Sequence, residues 1–164
     1  MPRTWIGIGS NQDRERSIRG AVRALRERFG ALVLSGVYES EAVGFKGQPF
    51  YNLVAGLDTD QPVGALHAAL REIEDAFGRV RGPASLFPRT LDLDLLTYGG
   101  LTGAVDGCVL PREDVLRYAF VLRPLAEVAA EEVHPVLRRT YAELWRAFDQ
   151  GLQPLVPVDL GLEP

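Results

Sequence analysis

Two amphipathic stripes, each set between strand-like runs, constrain this chain more than any other feature. Ile18, Ala21, Val22, Leu25 and Phe29 recur at the spacing of one helical face. Leu66, Leu70, Ile73 and Phe77 form a second such face. Asn11 or Asp13 is placed to cap the first helix and Gly30 to end it; Asp60 and Pro62 open the second and Gly78 stops it. Around them, residues 4–9, 31–40, 50–59 and 89–99 read as strands. The order β-α-β-β-α-β is that of the ferredoxin-like split unit, an α+β fold with one antiparallel sheet and both helices on one face. The other face stays open until the rest of the chain arrives. In the third strand, Asn52 and Val54 fall on one face and Tyr51, Leu53 and Leu57 on the other.

The remainder reads as an extension. A hairpin-like stretch, GGLTGAVDGCVL, precedes two helical pieces near 119–129 and 140–149, and Thr140 with Glu143 forms a capping box for the last. The tail 151–164, rich in Pro and Gly, is expected along the surface or mobile. A length of 164 residues suits one domain, with 1–99 as its core and 100–150 as the hairpin and helical extension. A net charge of −4, with Lys46 the only lysine, argues against a dedicated nucleic-acid binder. Cys108 is the only cysteine, so no intrachain disulfide forms and a reducing, cytoplasmic setting is expected. No apolar run approaches the ~20 residues of a membrane helix, so no membrane partner is expected.

The run RTLDLDLLTYG (89–99) carries the chemistry. Residues i and i+2 of a strand share a face, which makes Asp92 and Asp94 neighbours roughly 6.6 Å apart at about 3.3 Å per residue. Leu91, Leu93 and Leu95 point the other way, toward the helices. Two carboxylates that close repel by roughly 2–3 kcal/mol at an effective dielectric of ~20. Two readings stay open at this point. Both side chains face water, where repulsion is weak, or they form a hard-oxygen site for Mg²⁺ completed by phosphate oxygens. Arg79, Arg81 and Arg89 flank the loop leading into this strand, and arginine forks match phosphate. Surface pairing, such as Arg79 with Asp75, is the plain alternative and contributes little. No G-x-x-x-x-G-K-[ST] run exists, which excludes a P-loop fold, and GIGSN (7–11) lacks the third glycine of a dinucleotide fingerprint.

Asn52 is disfavoured on a strand. It is either a solvent-facing edge residue or a hydrogen-bonding group aimed at a planar, amide-like ligand. His67 on the second helix, His134 before Pro135 and Cys108 read as structural. Two other functions fit parts of the pattern. A D-x-D glycosyltransferase also binds nucleotide through a divalent ion, but 164 residues are short for its two-part site. A ferredoxin-like RNA-binding sheet would carry exposed aromatics where this chain has acids.

IGIGSN (6–11), PFYNLV (49–54), IEDAFGRVR (73–81), PRTLDLDLLTYG (88–99) and FVLRPLAEVAAEEVHP (120–135) together resemble the 6-hydroxymethyl-7,8-dihydropterin pyrophosphokinase family, in its order and spacing and over nearly the whole chain. The resemblance implies transfer of pyrophosphate from ATP to the pterin hydroxymethyl group, with AMP released and two Mg²⁺ ions as cofactors. It implies that Asp92 and Asp94 hold the metal and that Arg79, Arg81 and Arg89 surround the phosphates, with Glu74, Leu95, Arg112 and Arg117 also on the ATP side. The pterin side takes Gly9, Ser40, Val43, Phe50, Asn52 and Phe120, the last by stacking. The loops at 41–49 and 79–88 would close over the substrates, and a monomer is expected. Three positions depart from the family pattern: Leu86 stands where a Trp is usual, with Phe87 after it; Arg112 replaces a His that meets the phosphates; Tyr118 aligns with an Arg whose role Arg117 would take.

Overall fold

The computed structural model describes residues 1–41, 48–77 and 91–162. Its main sheet is built from β1 (Arg3–Ser10), β2 (Val33–Leu34), β3 (Val37–Ser40), β4 (Phe50–Asp58), β5 (Asp92–Tyr98) and β8 (Val156–Val158), and the hairpin β6 (Gly103–Val105) and β7 (Cys108–Leu110) stands apart from it. The strand order is β5-β1-β4-β3-β8, with β2 also on β4, and every pairing is antiparallel. Helices α1 (Arg14–Phe29) and α2 (Val63–Ala76) follow β1 and β4, and α3 (Asp114–Arg117), α4 (Ala119–Val128) and α5 (Tyr141–Ala147) follow the hairpin.

Alternation along the strands sorts side chains into two cores. Ile6, Ile8, Leu53, Leu57, Leu91, Leu93 and Leu95 pack with Ile18, Leu25, Leu66 and Leu70 of α1 and α2. Trp5, Val54 and Leu96 point to the opposite face and pack with Val121, Leu122 and Leu125 of α4 and Tyr141 and Leu144 of α5. Gly56 makes room for Trp5: a Cβ there would lie 2.4 Å from its ring. The extension therefore covers one end of the second face. The site lies at the other end, beside Asp114 of α3 and Phe120 of α4.

Three local features differ from the sequence reading. The second strand is broken at Ser35–Gly36, because side chains take over the ladder. Ser35 Oγ accepts the Val54 N–H at 2.9 Å, and the Gly36 N–H goes to Glu127 Oε2 at 2.9 Å. Asp13 occupies the position before α1 with φ 44° and ψ 47°, and its side chain makes no cap. The tail is not merely a surface segment. Val156–Val158 adds a strand to β3, where Pro157 is tolerated because an outermost strand need not donate on both sides. The Thr140–Glu143 capping box forms as expected.

Candidate active site

The uncovered end of the second face is a cavity of about 180 Å³. Its floor is the glycine alternation of IGIGS. Ile6 and Ile8 point into the first core, so Gly7 and Gly9 face the cavity, where they leave backbone and no side chain. Register places chemistry on either side of that floor. Gly9 pairs with Asn52 on β4 and with Asp92 on β5; Gly7 pairs with Val54 and Asp94. One row thus reads amide, glycine, carboxylate across three strands. Gly9 cannot be larger without displacing Asn52, since a Cβ would lie 2.9 Å from Asn52 Oδ1.

On the β4 side, Asn52 is buried and donates from Nδ2 to Ser40 Oγ at 2.8 Å. That bond orients the amide and leaves Oδ1 toward Gly9. Phe50 and Phe120 are half-buried and line the same cavity. Phe120 is stacked on Tyr118 with ring centroids 4.9 Å apart.

On the β5 side, Asp92 and Asp94 both line the cavity. Burial pushes the Asp94 carboxyl up to about 6; Arg112 opposes this, and Asp92, Asp114 and Glu74 add to the rise. Arg112 is therefore a cation that meets Asp94. Its Nη2 is 3.7 Å from Asp94 Oδ1 and its Nε 3.3 Å from Asp114 Oδ1. Among the described residues no group of three His, Cys, Asp or Glu side chains is arranged to hold a metal. Two hard oxygen donors fit an ion that keeps waters and phosphate oxygens in its shell, as Mg²⁺ does, and do not fit a closed structural zinc site.

The other candidates are placed less uniformly. Leu95 is buried in the first core and touches a neighbouring cavity, also lined by His67, Arg71, Cys108, Arg112 and Asp114. Glu74 is fully buried and lines neither cavity. Its Oε1 accepts from Arg71 at 2.7 Å and its Oε2 accepts the Leu93 N–H at 2.8 Å, so it ties α2 to the strand between the two aspartates. Arg117 is exposed, ion-paired to Glu113 at 3.1 Å, and faces a third cavity behind Phe120. Val43, Arg79, Arg81 and Arg89, Leu86 and Phe87, and most of both loops lie outside the described residues. The sequence reading missed Asp114, which lines both cavities on the β5 side. An acid in the first turn of a helix looks like an ordinary dipole partner. His134 is structural: its Nδ1 accepts the N–H groups of Val136 and Leu137, and burial lowers its pKa.

Fold and site together define a small α+β domain with an antiparallel sheet and a polar-flanked cavity on one face. A family model described as 7,8-dihydro-6-hydroxymethylpterin-pyrophosphokinase matches residues 5–130, and the chain belongs to this family, whose members catalyse pyrophosphoryl transfer in folate biosynthesis. A 2-amino-4-hydroxy-6-hydroxymethyldihydropteridine pyrophosphokinase of Methylorubrum extorquens is 38% identical over 138 residues, covering 81% of this chain and 86% of that protein. The folic acid synthesis protein fol1 of Pneumocystis carinii is 32% identical over 157 residues, but the chain spans only 21% of its length. Among solved structures, Plasmodium falciparum HPPK-DHPS with pterin and p-hydroxybenzoate matches 88% of this chain and 42% of that one, with a TM-score of 0.69 at 15% identity, a likeness of fold.

Proposed function

We propose that the cavity holds the two substrates of pyrophosphoryl transfer on opposite sides of its glycine floor. The reading rests chiefly on the row Asn52–Gly9–Asp92, which sets an oriented amide and a carboxylate on either side of bare backbone. The pterin, 6-hydroxymethyl-7,8-dihydropterin, lies toward β4. Asn52 meets its amide-like edge, Ser40 holds Asn52, and Phe50 and Phe120 cover its ring faces. ATP lies toward β5, with its adenine near Leu95 and the neighbouring cavity. Two Mg²⁺ ions held by Asp92 and Asp94 would neutralise phosphate charge and lower the pKa of the pterin hydroxyl.

The chain's own residues orient, neutralise and enclose. Asn52 and the aromatic pair aim the hydroxymethyl oxygen at the β-phosphorus, in line with departing AMP. Arg112, steadied by Asp114, offsets charge on the phosphate oxygens, and Arg79, Arg81 and Arg89 would add to it. Glu74 serves ATP indirectly, by holding the Asp92–Asp94 strand through the Leu93 N–H. Arg117 would reach the phosphates from its exposed position. The loops at 41–49 and 79–88, with Val43 in the first, close over the substrates and exclude water. The same reading makes the topology a ferredoxin-like split unit with an added edge strand, and the protein a cytoplasmic monomer.

The test is to incubate the protein with ATP, Mg²⁺ and the reduced hydroxymethylpterin. The expected products are AMP and the pterin diphosphate in equal amounts. Formation of ADP, or nucleotide turnover without pterin, would contradict the reading.

A further inference from the structure

The wall that carries Phe120 is held by a residue far along the chain, beyond the family match, which ends at residue 130. Helix α4 begins at Ala119, and the preceding Tyr118 provides no side-chain cap. Its first N–H groups need acceptors from elsewhere. Gln153 supplies one: its Oε1 accepts the Ala119 N–H at 2.9 Å, while its Nε2 donates to the Arg117 carbonyl at 3.0 Å. A single amide therefore clasps the chain on both sides of Tyr118, the ring on which Phe120 stacks.

Gln153 is itself anchored. It lies between the 3₁₀ turn Gln150–Leu152 and β8, and β8 is zipped to β3 through Val37↔Val158, Tyr38↔Pro157 and Glu39↔Val156. Arg19 donates to the Leu160 carbonyl just beyond. Strand β3 ends at Ser40, the partner of Asn52. Ser40, Tyr118, Phe120 and Gln153 line one cavity behind the site, which places the tail against the back of the aromatic wall.

We infer that Gln153 is a positioning residue for the pterin half of the site, acting through the α3–α4 junction to fix Phe120. The inference rests on the reading that Phe120 faces the pterin. The chemistry asks for an amide. Alanine removes both bonds, whereas glutamate keeps the acceptor for the Ala119 N–H at a helix start, where negative charge is favoured, but turns a second acceptor oxygen on the Arg117 carbonyl in place of the donor.

The experiment measures kcat and the KM of each substrate for the wild type, Phe120→Ala, Gln153→Ala, Gln153→Glu and the double variant Phe120→Ala/Gln153→Ala, with thermal unfolding of each. Gln153→Ala is expected to raise the pterin KM about tenfold, the size of one or two lost hydrogen bonds, while the ATP KM stays within about twofold. Gln153→Glu recovers part of the loss. The double variant is no worse than Phe120→Ala alone, because the two residues act in series. If Phe120→Ala leaves the pterin KM unchanged, the pterin reading of Phe120 fails and the inference with it. If Phe120→Ala raises that KM but Gln153→Ala does not, or moves both KM values equally, or adds its full effect in the double variant, the inference is overturned and the pterin reading stands.

Discussion

The two faces of one sheet have the same strands and opposite fates. Toward α1 and α2, successive leucines and isoleucines of β1, β4 and β5 close a continuous core. On the other face the alternate residues of those strands are Gly7, Gly9, Asn52, Asp92 and Asp94 at one end, and Trp5, Val54 and Leu96 at the other. The covered end is closed by apolar packing; the other end presents bare glycine backbone flanked by an amide and two carboxylates. Stability is concentrated on the first face and chemistry on half of the second, with a side-chain period of two keeping them apart.

Substitutions that confuse the two faces should reveal the division. The largest effect is expected from Asp92→Ala or Asp94→Ala, each lowering turnover by ~1000-fold, the equivalent of several kcal/mol of charge stabilisation. Thermal unfolding should show little loss of stability in either, and near-normal turnover would remove the metal role. On the closed face, Leu70→Ala should cost about 2–5 kcal/mol of stability, measured by denaturant unfolding, with substrate KM values unchanged in the folded fraction. Asn52→Ala should raise the pterin KM about tenfold, as expected for a lost hydrogen bond, and spare ATP. Gly9→Ala should do likewise by pushing the amide aside.

The smallest effect is one of pH. Folding raises the Asp94 carboxyl from its ordinary 3.8 to about 6, so its ionised form opposes folding. That opposition is complete above about 6 and fades as pH falls through 6 toward 3.8. In the presence of a chelator, Asp94→Asn should therefore be more stable than the wild type at pH 7.5, and the difference should shrink on acidification. Melting curves across this range check it; a difference that grows on acidification would reverse the sign assigned to burial.

What the sequence made legible follows the same division. Periodicity located α1, α2 and the strands beside them because their apolar residues have no other use. The D-x-D pair stood out because charge interrupts such a pattern, and Asn52 did so for the same reason. Contributions arising from distant contacts were not legible. Asp114 carried no signal in the sequence, and only Arg112, which pairs with both, brings it to Asp94. Glu74 was expected on the ATP side, and only the fold shows that its carboxylate also accepts from Arg71 and from the Leu93 N–H. Gln153 sits in a stretch without periodicity, and only the pairing of β8 with β3 brings it to Ala119.

The central claim is that the cavity has two chemically distinct halves joined over Gly9. The most direct measurement titrates the wild type, Asp94→Asn and Asn52→Ala with a non-hydrolysable ATP analogue in Mg²⁺ and, separately, with the pterin. The predicted result is crossed: Asp94→Asn loses the nucleotide and keeps the pterin, and Asn52→Ala loses the pterin and keeps the nucleotide. Parallel loss of both ligands in either variant would contradict it.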